Sequence, residues 1–80
     1  MELTIHLYGI TRDIIGQSRY VVQLPPGARV QQLLESVRTS YPELAGLKSL
    51  LVAVNEEYAE AETPLSERDE IALIPPVSGG

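Results

Sequence analysis

The sequence predicts an α+β fold of the β-grasp kind, a mixed sheet packed on one main helix. Three observations predict it. Near the start, Leu3, Ile5 and Leu7 alternate with Thr4, His6 and Tyr8, the two-residue period of a half-buried strand. Further on, Val30, Leu33, Leu34, Val37 and Tyr41 recur at the spacing of one helical stripe. Short apolar runs broken by turn residues follow that helix, so the strands lie on both sides of it in sequence.

Taken in order, Gly9 ends the first strand, and residues 10–15 have room for one or two helical turns closed by Gly16. A second strand is expected at 19–24, with Tyr20, Val22 and Leu24 on one face. Pro25-Pro26-Gly27 breaks pairing, because proline has no donor for a ladder. The main helix is expected over 29–41, with Gln31, Gln32, Glu35, Arg38 and Thr39 on its wet face and Pro42 as its stop. Its start is poorly capped: Ala28 and Arg29 stand where Ser, Thr or Asp would serve. Residues 50–54 read as a buried strand, Asn55-Glu56 as a turn, and 57–61 as a short strand with an acidic outer face. Residues 63–66 read as a turn or a single 3₁₀ turn, 67–69 as a charged loop, and 70–74 as the last strand. The helix can cross so that this last strand lies beside the first. The expected division is a β-grasp domain over 1–74 and an extended tail over 75–80.

Composition narrows the function. The chain has 80 residues, enough for one small core, and 44% hydrophobic with 21% charged residues is a globular balance. It has no Cys, hence no disulfide framework and no thiolate, and its single His cannot build a His-based metal centre alone. No window is apolar for long enough to span a bilayer, and Met1-Glu2-Leu3-Thr4 lacks the basic start of a secretory signal, so a cytoplasmic location is expected. The net charge of −5 is uneven: Glu56, Glu57, Glu60, Glu62, Glu67, Asp69 and Glu70 face only Arg68 in the last third. A phosphate backbone would be repelled there, which disfavours nucleic acid. These acids either simply solvate loops and strand faces or steer that end toward a basic partner.

The search for catalytic groups is short. The acids cluster in polar segments, with no sign of the desolvated, opposed pair that acid–base catalysis needs. His6 falls on the face opposite the core with no evident Ser or Asp partner. Gly9, Gly16 and Gly27 are punctuation, since neither GxGxxG nor GxxxxGK[ST] occurs. Strand alternation does predict an outward apolar patch of Tyr8, Ala72 and Ile74, joined by Tyr58. On a small acidic domain such a patch reads as a partner-docking face, unless the chain's own loops cover it.

The remaining feature is Ile74-Pro75-Pro76-Val77-Ser78-Gly79-Gly80. Two prolines favour a stiff, extended exit from the sheet, and residues 75–80 extended reach roughly 20 Å. Gly79 and Gly80 carry no side chains, so this stretch can thread a narrow channel and present an unhindered carboxylate. A frayed terminus would have a similar composition.

With these pieces in place, the whole chain resembles the MoaD/ThiS family of ubiquitin-like sulfur carriers, in particular its molybdopterin synthase small subunits. The resemblance is carried by Leu7-Tyr8-Gly9, Arg12-Asp13-Ile14-Ile15-Gly16, Leu24-Pro25-Pro26-Gly27-Ala28, Val52-Ala53-Val54-Asn55, Pro64-Leu65, Asp69-Glu70-Ile71-Ala72 and, most specifically, Pro75-Pro76-Val77-Ser78-Gly79-Gly80. Arg29 departs from the family, which usually has a helix-capping Thr there. The resemblance implies that an E1-like activating enzyme uses ATP to adenylate the Gly80 carboxylate. Sulfur from a separate donor then displaces AMP and leaves a thiocarboxylate. It further implies that the tail, Pro75, Pro76, Val77, Ser78 and Gly79, delivers this group to the large subunit of molybdopterin synthase, which does the catalysis on a pyranopterin precursor. Tyr8, Tyr58, Ala72 and Ile74 would form the docking face. No bound cofactor and no metal is expected on the chain itself. Carriers for thiamine or tRNA thiolation, and protein modifiers that form isopeptides through Gly80, remain open alternatives.

Overall fold

The computed structural model describes residues 1–47 and 50–75. The element order is β1 (Glu2–Leu7), α1 (Gly9–Ile15), β2 (Arg19–Gln23), α2 (Val30–Ser40), a 3₁₀ segment (Pro42–Gly46), β3 (Leu51–Val54), β4 (Glu57–Ala59) and β5 (Ile71–Ile74). The strands form one five-stranded sheet in the order β2-β1-β5-β3-β4. β1 and β5 lie parallel at its centre, with Ile5 opposite Ile71 and Leu7 opposite Leu73; the other pairings are antiparallel. This is the β-grasp arrangement: a mixed sheet wrapped on α2, its last strand beside its first.

Alternation assigns the two sheet faces. Leu3, Ile5, Leu7, Val22, Val52, Ile71 and Leu73 point inward and are buried with Val30, Leu33 and Val37 of α2 in one cluster. Burial of these aliphatic side chains contributes on the order of 1.5–3 kcal/mol each. Tyr20 on β2 meets Tyr41, just beyond α2, edge to face at 5.6 Å between ring centroids, which ties the helix end to the sheet.

Several expected boundaries move, each for a physical reason. β1 stops at Leu7 and the first helical turn begins at Gly9, not after it. Thr11 drives that change: its buried hydroxyl donates to the Tyr8 carbonyl at 2.6 Å and accepts the Tyr8 N–H at 3.1 Å. Gly16 closes α1 in the left-handed region, its N–H donating to the Arg12 carbonyl. β4 is shorter than expected, and 63–66 holds no 3₁₀ turn; Pro64 instead bridges to Arg29. The 3₁₀ segment lies at Pro42–Gly46, where Pro42 both ends α2 and opens the next turn, delivering Leu44 fully buried to the core.

The weak start of α2 is compensated from outside the helix. The Val30 and Gln31 N–H groups donate to the carbonyls of Thr63 and Ala61, at 3.0 and 2.9 Å. Gln32 reaches back with Oε1 to accept the Arg29 N–H at 2.9 Å. Donors that a capping side chain would have served are therefore satisfied by a distant turn. Among the described residues, no helix is long and apolar enough to cross a membrane.

Candidate functional site

The candidate site follows from what the sheet leaves uncovered. α2 and the core occupy one face. On the other face, cross-strand pairing aligns Arg19, His6, Ala72, Ala53 and Tyr58 in one row across all five strands. Beside it, Leu51 pairs with Ile74, and Tyr8 continues β1 in extended conformation. Tyr58 is 72% exposed, Tyr8 53% and Leu51 46%; Ala72, Ala53 and Ile74 are half-buried.

All four expected docking residues thus stand on the outer face, but not in one cluster. Tyr8 lies beyond the end of β1 and Tyr58 on β4, three strand spacings or roughly 14 Å apart across the sheet and offset by two residues along it. Ala53 and Ala72 fill the interval with methyl groups, making a shallow apolar floor between aromatic rims. Leu51 and Ala53 were missed because residues 50–54 read as a strand buried throughout. Alternation places Val52 inward and leaves its two neighbours outward.

The site's second part is the root of the tail. β5 is held between β1 and β3 and ends at Ile74, so Pro75 emerges from the centre of the sheet. Gly9 sits directly against it: a Cβ built on Gly9 would lie 3.1 Å from Pro75 Cγ. Pro76, Val77, Ser78, Gly79 and Gly80 lie outside the described residues.

The acidic residues separate by position. Glu56, Glu57, Glu60 and Glu62 are exposed on β4 and its flanking turns, Glu70 is exposed beside Asn55, and Glu67 is exposed beside the start of β1, its carboxylate accepting the Glu2 N–H at 2.9 Å. Asp69 is partly buried and engaged, accepting from Asn55 Nδ2 at 3.0 Å and from the Ser66 N–H at 2.8 Å. His6 is half-buried on the outer face, beside Arg19 and Ala72. Exposed charge therefore runs from Arg19 at the β2 edge to the acids of β4 and its flanking turns at the other edge.

Comparison with known proteins gives this geometry a context. Residues 5–80 match the model of the ThiS family. The chain is 33% identical over its whole length to the molybdopterin synthase sulfur carrier subunit of Arabidopsis thaliana, covering 84% of that protein. Its fold superposes on the solution structure of small archaeal modifier protein 1 from Methanosarcina acetivorans with a TM-score of 0.79. The two are 26% identical, covering 99% of this chain and 96% of that one. It also superposes, with a TM-score of 0.63, on a chain in the complex of subunits 1 and 2 of molybdopterin-converting factor from Helicobacter pylori. There the identity is 24% with both chains fully covered, a likeness of fold.

Proposed function

Because the chain belongs to the ThiS family, we propose that it is the sulfur carrier subunit of a molybdopterin synthase. The observation that carries this reading is similarity along the entire chain to a relative of that name, with the family match running through Gly79 and Gly80. The β-grasp domain, residues 1–74, is the handle, and residues 75–80 are the working part.

The chemistry belongs to the Gly80 carboxylate. A free carboxylate resists nucleophiles because it is anionic and has no good leaving group. An E1-like activating enzyme would remove that obstacle: a carboxylate oxygen attacks the α-phosphorus of ATP and pyrophosphate departs. A sulfur nucleophile supplied by a separate donor then attacks the carbonyl and AMP departs, leaving the thiocarboxylate. In the large subunit the thiocarboxylate sulfur attacks a carbon of the pyranopterin precursor and displaces an oxygen substituent from it. Water then cleaves the acyl–sulfur bond, leaving the sulfur on the pterin and regenerating the Gly80 carboxylate. The chain contributes no catalytic side chain to these steps. It contributes position: Gly9 accommodates Pro75, and β5 aims the exit. The apolar face of Tyr8, Leu51, Ala53, Tyr58, Ala72 and Ile74 docks the partner.

Intact-mass measurement on protein isolated from its native host tests the reading. A mass gain corresponding to exchange of one oxygen for sulfur, mapped to Gly80, is expected. An unmodified terminus in cells competent for molybdopterin synthesis would overturn it. A second reading, a protein modifier joined through Gly80 to target lysines, is favoured by the likeness to the archaeal modifier. It would appear in the same experiment as lysine-linked conjugates.

A further inference from the structure

Beside the apolar face lies a concavity that the sulfur-carrier reading does not use. It has a volume of about 330 Å³ and is lined by His6, Leu7, Tyr8, Arg12, Ser18 and Arg19. Its lining holds two guanidinium groups and an imidazole but no carboxylate, on a chain whose net charge is −5. Arg12 and Arg19 are both exposed, and among the described residues neither guanidinium takes part in a side-chain hydrogen bond.

A structural role accounts for only part of this. Arg12 stands in the last turn of α1, where a cation suits the helix terminus. That explanation does not reach Arg19, which begins β2 on a separate element. What brings the two together is the fold: β2 pairs with β1 so that Arg19 faces His6, and α1 returns Arg12 to the same end of β1.

From this we infer that the concavity seats a carboxylate side chain of the protein that docks on the apolar face. Arg12 and Arg19 hold the carboxylate, with His6 on its flank. The inference rests on the docking role proposed above. Tyr8 belongs to both surfaces, lining the concavity and rimming the apolar face, so a partner seated on that face reaches the cations without further rearrangement. Arginine offers a planar donor fork suited to carboxylates and is weakly hydrated, which favours it at an interface. The acidic β4 edge repels the same carboxylate, so the charge gradient specifies one orientation of the partner on the sheet. That orientation carries the exit of β5 with it, and so where the tail enters the partner.

Calorimetric titration of the full chain into the large subunit of molybdopterin synthase from the same genome tests this. Arg12→Gln and Arg19→Gln are each expected to weaken binding, and together to weaken it about tenfold or more at low salt. Raising the salt should narrow the gap, because wild-type affinity falls toward that of the double variant. Glu35→Gln, exposed on α2 on the opposite side of the sheet, serves as the matched control and should bind as wild type does. Thermal unfolding of each variant separates lost binding from lost folding. Equal affinity of wild type and double variant overturns the inference while leaving the carrier reading in place. Failure of the wild type to bind overturns both. In a parallel titration of inorganic phosphate, saturable NMR shifts at Arg12 and Arg19 below millimolar concentration would show a small-anion site and overturn the partner assignment.

Discussion

The ring of Pro75 crowds the position where a side chain on Gly9 would begin, its Cγ 3.1 Å from an ideal Cβ. Gly9 also holds φ +56, so both its backbone and its surroundings disfavour a larger residue. Gly16 provides the comparison: its φ is +83 but nothing lies within 4 Å of its Cβ position. Gly16→Ala should therefore cost only the left-handed backbone, about 1 kcal/mol. Gly9→Ala should cost more, because Pro75 must also move. Urea denaturation of the two variants measures the difference, and Pro75→Ala in the Gly9→Ala background should recover part of it. If Gly9→Ala proves no worse than Gly16→Ala, the contact with Pro75 is not limiting.

The β3–β4 hairpin turns on two residues with positive φ, Asn55 at 54° and Glu56 at 71°. Asparagine tolerates that region; glutamate does not favour it. Glu56→Gly should therefore stabilise the protein by about 0.5–1 kcal/mol despite the greater freedom of the unfolded chain. Asn55 is less replaceable. Its Oδ1 accepts the Glu70 N–H at 2.9 Å, its Nδ2 donates to Asp69, and its own N–H donates to the Glu70 carbonyl. Asn55→Ala should cost about 1–3 kcal/mol, seen as a lower denaturation midpoint at unchanged m value.

These two hairpin residues show how legible the fold was. Asn55-Glu56 announces a turn through local chemistry, and β1 and α2 announce themselves through period, because each carries enough apolar positions to display it. The placing of β5 beside β1 followed from element order; that the two run parallel is seen in the structure. Two kinds of feature escaped. Leu51 and Ala53 were hidden because a four-residue strand is too short to show alternation against a run of apolar residues. The acceptors that complete α2, the carbonyls of Ala61 and Thr63, are distant in sequence and are backbone groups that any residue would supply. The candidate site divides the same way. Tyr8, Tyr58, Ala72 and Ile74 were visible as outward positions, whereas the pairing of Arg12 with Arg19 exists only after β1, α1 and β2 are assembled.

The capping of α2 from a distance makes an otherwise promising substitution ineffective. Arg29→Ser places a good capping residue at the N-cap, a change usually worth about 1 kcal/mol. Here the Val30 and Gln31 donors are already engaged by Thr63 and Ala61, so a change within about 0.5 kcal/mol is expected. Thr63 should matter more. Its hydroxyl accepts the Glu60 N–H at 3.1 Å and holds the turn that presents both carbonyls. Thr63→Val should lower stability by about 1 kcal/mol and speed amide exchange at Val30 and Gln31, measurable by NMR. A strongly stabilising Arg29→Ser would contradict this account of the helix start.

Docking and delivery are expected to separate cleanly in the proposed carrier. Ala72 lies at the centre of the outer row, half-buried between His6 and Ala53, and its methyl group sets the floor of the apolar face. Ala72→Arg would raise a charged side chain from that floor, while Ile71 and Leu73 still bury on the opposite side. Folding should survive, and affinity for the large subunit should fall by tenfold or more, since a partner would have to bury an unpaired charge costing about 2 kcal/mol or more. Tyr58→Asp, at the exposed rim, should act in the same direction with a smaller effect. Deleting Gly79-Gly80 should do the reverse: affinity for the face is largely retained while sulfur transfer is abolished, because the carboxylate to be activated is lost with Gly80. Calorimetry reports the first property and single-turnover dithiolene formation the second. Transfer by the truncated chain would remove Gly80 from the mechanism, and undiminished binding by Ala72→Arg would remove the sheet face from the interface.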